Sequence, residues 1–213
     1  MTPGQAARQL SRRRHYGVLS TTSQKFPGYP YGSFVDYVTD HMGRPVILIS
    51  ALAEHTHNIV HHPQVSLAIH DPGEQAQAMP RLALLGEAKL IGPDDAHHIR
   101  SRYLRYFPEA EPYLALDFAF YRIEPQHMRY IAGFAQATWV SAVDFLALGS
   151  HLADSEQALL QQFQTGQQAT LIGVDCDGCD VRVAGQLQRI NFAEPALDAA
   201  AVRVQLQALA QGK

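Results

Sequence analysis

The spacing of apolar residues predicts a mainly β barrel with flanking helices, followed by a small α+β unit. Three observations carry this. Residues 1–145 hold about six or seven stretches of strand character and few of helical character. Residues 146–213 run in the order helix, three-strand meander, helix. The chain has 213 residues, 46% hydrophobic and 17% charged, enough apolar surface for one good-sized domain or a domain with a small appendage. A disordered chain would need fewer aliphatic residues and a larger net charge than −3.

Taken in order, residues 3–15 are predicted as a helix with Ala7, Leu10 and Arg14 on one face, and residues 17–22 as a short apolar strand. A Pro/Gly-rich loop spans 26–32. Beyond it Ser33, Val35 and Tyr37 alternate with Phe34, Asp36 and Val38, the period of two of a strand. Residues 40–43 are a turn, 45–50 a buried strand, and 53–62 a short helix stopped by Pro63. Val65, Leu67 and Ile69 mark another strand. Residues 81–91 form a long one, in which Gly86 suits a bend or a close neighbour. Pro93, Asp94 and Asp95 open a helix that Pro108 ends. Residues 117–131 read as two strands meeting near Glu124 and Pro125. A connector over 140–149 leads to a helix at 150–163, strands at 169–175, 179–183 and 186–190, and a helix at 196–210.

Charge excludes some functions. Seventeen basic against 20 acidic side chains give no electrostatic reason to expect nucleic acid or an anionic membrane as the main partner. Residues 1–14 are polar and basic without a signal-peptide core, and no stretch has the length of a membrane span, so a cytoplasmic protein is expected. Cys176 and Cys179 are too few for a disulfide framework. Their spacing suits a redox pair, half of a zinc site, or, with Asp177 and Gly178 between them, a tight hairpin turn.

The ordered set of motifs points further. Gly17-Val-Leu-Ser-Thr, Tyr31-Gly-Ser-Phe-Val, Gly43-Arg-Pro-Val-Ile-Leu-Ile-Ser-Ala-Leu-Ala-Glu-His-Thr-His-Asn, His62-Pro-Gln-Val-Ser-Leu and Arg81-Leu-Ala-Leu-Leu-Gly-Glu-Ala resemble the FMN-binding split-barrel superfamily. Within it they are similar to the pyridoxamine 5′-phosphate oxidase-related branch that includes haem-utilisation proteins. The resemblance spans about residues 5–145, and the tail resembles a small domain of unknown function often attached to these barrels. It implies a split β-barrel that dimerises through its strands, with flavin sites in clefts at the subunit interface.

By that resemblance Ser50, Ala51 and Leu52 would lie along the isoalloxazine and ribityl chain of FMN, and His55, Thr56 and Asn58 would contact its phosphate. Arg81 would stand beside the flavin. A strand end leading into a helix N-terminus is also a physically sensible seat for an anion. Two departures are visible. His57 and Asn58 stand where relatives carry Arg or Lys, and the C-terminal arginine motif of the true oxidases is absent, so vitamin B6 oxidation is not expected. The tail also lacks the His-Met-Asn run of the attached domain, with Gln161, Gln162 and Phe163 near its place.

Three functions follow from this: an FMN-dependent oxidoreductase of unassigned substrate, a haem-binding or haem-degrading protein using the same interface cleft, and a non-enzymatic interaction protein. No residue is assigned a catalytic role. The eleven histidines show no pair at metal-ligand spacing joined to a third ligand, so no metal site is expected. His15, His41, His127 and His151 are each open as an axial haem ligand. His55 and His57 stand in the phosphate segment, His61 and His62 end a helix, and His97 and His98 face solvent. Arg12, Arg13 and Arg14 read as a phosphate contact or a solvated helix face. Arg122 would need an anionic partner, a cofactor anion or Asp117 or Glu124, and Trp139 reads as packing.

Overall fold

The strands form where apolar and polar residues alternate. In the computed structural model, which describes residues 1–75, 77–134, 136–147, 152–163 and 169–210, the chain divides into two compact units, Met1–Leu146 and Ala147–Lys213. The first contains β1 (Tyr16–Thr22), β2 (Pro30–Thr39), β3 (Pro45–Ser50), β4 (Gln64–His70), β5 (Arg81–Leu90), β6 (Phe118–Gly133) and β7 (Gln136–Ser141). They make one antiparallel sheet in the order β3-β2-β1-β4-β5-β6-β7. A further pairing of β3 with the first half of β6, Val46 opposite Arg122 and Ser50 opposite Phe118, closes six strands into a barrel. The second half of β6 carries β7 outside that closure. This is the split barrel expected from the sequence.

Inward-facing Leu19, Tyr37, Ile47, Leu67, Leu82, Leu84, Ile123 and Met128 fill the barrel. Helix α1 (Pro3–Arg13) starts with a reciprocal cap between Thr2 and Gln5, and adds Ala7 and Leu10 to the same core. Burying Leu10 stabilises by about 1.5–3 kcal/mol. The Tyr37 hydroxyl donates to the Ser11 carbonyl at 2.8 Å, which ties the helix to the barrel interior.

Two local expectations change. The two strands expected around Glu124 and Pro125 are one strand, β6. Pro125 has no N–H to give the ladder. The register shifts there from Leu85 opposite His127 to Gly86 opposite Pro125, which leaves Gln126 as the extra residue of a bulge. Gly86 is required at that crossing, because a Cβ would fall 2.2 Å from the Glu124 carbonyl oxygen. Pro108 ends α3 (Pro93–Tyr106) as expected, and Pro108–Ala115 adds a 3-10 helix, η1, to which the sequence reading gave no element. The stretch read as the beginning of a connector contains the end of β7 and a short helix α4 (Ala142–Phe145), whose Phe145 is fully buried. Both elements depend on long-range partners, β6 and α1, that local pattern does not show.

The second unit has the expected order: α5 (Glu156–Gln162), then β8 (Ala169–Asp175), β9 (Gly178–Val183) and β10 (Gln186–Asn191) as a meander, then α6 (Ala199–Ala210). The first helix starts later than residue 150 and the last later than residue 196. His151, one of the histidines singled out above, lies outside the described residues. The hairpin also shifts by one residue. Asp175 pairs with Gly178, so the turn is Cys176-Asp177 and Gly178 is already in the strand. Its lack of a side chain serves packing, since a Cβ there would lie 2.2 Å from the Ile190 carbonyl oxygen. Both cysteines are buried and neither is in a disulfide, and burial pushes the Cys179 thiol up to about 12, far from the range of a reactive thiolate. No helix among the described residues is long and apolar enough to cross a membrane.

Candidate functional site

The segment that the family resemblance singles out lies where β3 leaves the barrel for α2 (Glu54–His61). Its polar groups are largely used within the chain. Ser50 Oγ donates to Asp117 Oδ2 at 2.6 Å, and the Leu52 amide donates to the same oxygen at 3.2 Å. The Ala51 amide donates to the Asp117 carbonyl at 2.9 Å. The Ser50 hydrogen bond leads in holding the Asp117 carboxyl below the usual carboxylate range, against a smaller opposing effect of burial. Thr56 Oγ1 donates back to the Ser50 carbonyl at 2.7 Å. Asn58 is fully buried, donating to Thr21 Oγ1 at 2.9 Å and accepting from the Gln24 amide at 2.8 Å. Thr56 and Asn58 therefore act as joints between the helix and the barrel wall.

His55 differs. Its Nδ1 lies 3.2 Å from Ser33 Oγ, while Nε2 is buried and without a hydrogen-bond partner. Burial lowers its pKa, so the ring is neutral at physiological pH. It borders a cleft of about 340 Å³ between β2, β3, α3 and η1. Tyr103, Phe107, Tyr113 and Phe118 wall the cleft, and Asp36 and Glu109 line it as well. Among the described residues no lysine or arginine lines it. Burial, followed by the charge of Glu109, raises the Asp36 carboxyl.

Arg81 is elsewhere. It opens β5 opposite His70 and Ile131, at the far end of β6 from Phe118 and Ser50. The structure brings together Ser50, Ala51, Leu52, His55, Thr56 and Asn58 but leaves Arg81 apart within one chain. Arg122 also finds other partners than expected: its ion pairs run to Asp95 at 3.0 Å and to Asp40 at 3.3 Å.

Around Arg81 the outward face of the sheet has a distinct character. Strand register aligns Phe34, Val18, Ala68, Ala83, Arg129 and Trp139 in one row across six strands. On β4, β5 and β6 the same face presents Ser66, Ala68 and His70, then Leu85, Ala83 and Arg81, then His127, Arg129 and Ile131. By strand spacing this is a platform of about 10 by 13 Å. The Arg129 guanidinium lies 5.4 Å from the centre of the Trp139 ring, which is 61% exposed. His70 Nδ1 is 2.9 Å from the Asp71 carbonyl oxygen. A carbonyl only accepts, so Nδ1 carries the proton and Nε2 keeps its lone pair, the arrangement of a metal-ligating imidazole. His61 has a similar Nδ1 contact, but its Nε2 lies 2.7 Å from the Gln24 side-chain nitrogen.

Two guanidinium groups, an imidazole lone pair, an exposed indole and a floor of small side chains suit a flat apolar ligand with anionic edges and a metal at its centre, as in an iron porphyrin. The residues at the start of α2 suit a flavin phosphate less well: their amides and hydroxyls are bonded internally, and Asp36, Glu109 and Asp117 surround them. Sequence reading missed His70, although its place after Ile69 in an alternating strand puts it on the outward face. It also missed Asp36 and Glu109 as site residues. Asp36 was visible as a charged break in the Phe34–Val38 alternation, whereas Glu109 had no local signal.

The sequence profile of the family described as "CREG, beta-barrel" matches residues 2–147. The chain is 37% identical over 158 residues, 74% of its length, to the non-canonical heme oxygenase HOZ, chloroplastic, of Arabidopsis thaliana; it spans about half, 47%, of that relative. Among solved structures it resembles a heme binding protein from Mycobacterium smegmatis, at 26% identity and a TM-score of 0.64 over 100% of this chain and 97% of that one. It also shares the fold of a protein of unknown function from Agrobacterium tumefaciens, at 22% identity and a TM-score of 0.81 over 96% and 93% of the two chains.

Proposed function

We propose, from the premise that the chain belongs to the CREG β-barrel family, that it binds haem on the outward face of β4, β5 and β6, with His70 as iron ligand and Arg81 and Arg129 at the propionates. The single observation that carries this is the His70 geometry, a lone pair on Nε2 fixed by the Asp71 carbonyl on the same face as two guanidinium groups. Charge-assisted hydrogen bonds from arginine are the strong ones for carboxylates. The haem-related descriptions of the Arabidopsis and Mycobacterium proteins support the same ligand.

The outward side of the platform is taken to be covered by a second copy of the chain. A homodimer through this face would cover Phe34 and Trp139, both highly exposed, and enclose the ligand from the other side. Haem turnover is a second reading, favoured by the 37% identity to an oxygenase. FMN remains the family-level alternative, and His55, which borders the cleft and whose buried Nε2 has no hydrogen-bond partner, is the residue of the β3–α2 set with an unused polar atom. Serving as a non-enzymatic interaction protein is the remaining alternative.

Titration of the purified protein with haem and, separately, with FMN tests the proposal. A saturable Soret shift at one haem per chain, with no comparable FMN uptake, is the expected result. FMN retention without haem uptake would transfer the function to the β3–α2 segment. Analytical ultracentrifugation should show a dimer, and a monomer carrying haem would remove the second copy from the site.

A further inference from the structure

The cleft between β2, β3, α3 and η1 is chemically unlike the platform, and haem binding leaves it unexplained. Its walls are aromatic. Tyr113 and Phe118 stack with ring centres 4.9 Å apart and planes 19° from parallel, and Tyr103 packs on Phe107 at 5.1 Å. Phe34, 86% exposed, also lines the cleft, from β2. Asp36 and Glu109 are exposed carboxylates on the same cleft, from β2 and η1 respectively.

Aromatic faces carry negative quadrupole potential, and carboxylates add full charge, so such a cavity attracts a cation that is itself partly apolar. A phosphate or carboxylate ligand would meet two like charges and, among the described lining residues, no lysine or arginine. The neutral His55 ring completes the wall near Ser50 without adding positive charge. A volume of about 340 Å³ is of the size of a small-molecule site.

We propose that this cleft binds a small organic cation, an ammonium group on an apolar or aromatic body, with Asp36 and Glu109 taking the charge and the Tyr113–Phe118 pair taking the body. Of its named lining residues only Phe34 reaches the face assigned to the dimer, and Asp36, Glu109, Tyr113 and Phe118 lie outside the β4–β5–β6 platform.

The test uses three isosteric probes on the full chain: 2-phenylethylamine, 2-phenylethanol and phenylacetate, compared by calorimetry or ligand-observed NMR. The ammonium should bind about tenfold more tightly than the alcohol, and phenylacetate more weakly than either. In the double variant Asp36→Asn/Glu109→Gln the amine should fall to the affinity of the alcohol, while the alcohol itself is unchanged. Tyr113→Ala should weaken amine and alcohol together. Circular dichroism confirms that each variant is folded, and haem titration of the same variants separates a failure here from a failure of the platform. Equal affinity for amine and alcohol, no binding of the amine at about 10 mM, or a double variant that keeps the preference would overturn the proposal.

Discussion

The two ends of the outward sheet face have opposite chemistry. At β4 to β7 it presents Arg81, Arg129, His70, His127 and Trp139 over alanines and serines; at β2 and β3, under η1, it presents Asp36, Glu109 and a set of aromatic rings. Through the β3–β6 closure β2 lies two strand spacings from β6, but register sets Tyr37, next to Asp36, level with Tyr121, eight residues before Arg129 and so about 26 Å from it along β6. Two charges that far apart are largely screened at physiological salt. One barrel can therefore hold an anion-seeking and a cation-seeking surface side by side. The comparison also explains why the residues expected to hold a flavin divide: the strand-end set falls beside the acidic region and Arg81 falls in the basic one.

The strongest way to break this comparison is to reverse the basic end. Arg81→Glu with Arg129→Glu should lower haem affinity about 100-fold, through two lost charge-assisted bonds and new repulsion, whereas Glu109→Gln should leave it within about twofold. Equal effects on both ends, measured by absorbance titration, would erase the distinction. Next, His70→Ala should remove the ligand-dependent Soret shift and cost about tenfold in affinity. His127→Ala should retain the shift; the opposite outcome would move the iron ligand to β6.

Reversing the acidic end is a gain-of-function test. Asp36→Lys with Glu109→Lys should increase FMN affinity about tenfold by giving the phosphate cations it lacks. No gain would show that charge does not limit FMN affinity there and would leave the internal bonding of Thr56 and Asn58 as the controlling feature.

Smaller effects concern stability. Arg13 and Arg14 both bind the Asp71 carboxylate, next to His70. Burial alone would raise the Asp71 pKa, but these bonds overcome it and the carboxyl stays below its usual range. A carboxyl depressed in the folded state contributes stability that is fully present above its unfolded pKa and is lost as pH falls through the folded value. Asp71→Asn should therefore cost about 1 kcal/mol at neutral pH, after allowance for solvent screening, and the gap from wild type should close in strong acid. A pH-independent gap in urea melts would contradict the linkage. At the other end Asp36 is raised, so its ionised form disfavours folding and the penalty applies above its folded pKa. Asp36→Asn should stabilise at neutral pH by about 0.3 kcal/mol, a small rise in Tm that should vanish at low pH.

Legibility follows the range of the interactions involved. The helix from Pro3, the strand pairs around 17–22 and 45–50 and the meander at the C-terminus were readable because each carries its own periodicity and turn residues. Strand β7 was not, since Trp139 and Ala137 are outward-facing on an edge whose only strand partner among the described residues is β6. The continuity of β6 through Pro125 was hidden for a similar reason: the bulge that tolerates the proline depends on Gly86, some forty positions earlier in the chain. In the site, the motif residues stand at the strand end leading into α2, where the sequence puts them. Asn58 and Thr56 read as phosphate contacts, and only the folded chain shows them spending their polar atoms on Thr21, Gln24 and Ser50.

By itself the sequence determined the barrel, the small second unit and the family, because alternation, turn residues and motif order are properties of neighbours along the chain. The tertiary structure alone decided which surface is acidic and which basic. Register is what sets Arg81 beside His70, and the fold of η1 against β2 is what sets Glu109 beside Asp36. Those pairings join residues 11 and 73 positions apart, across hydrogen-bonded strands and packed helices that no local pattern encodes.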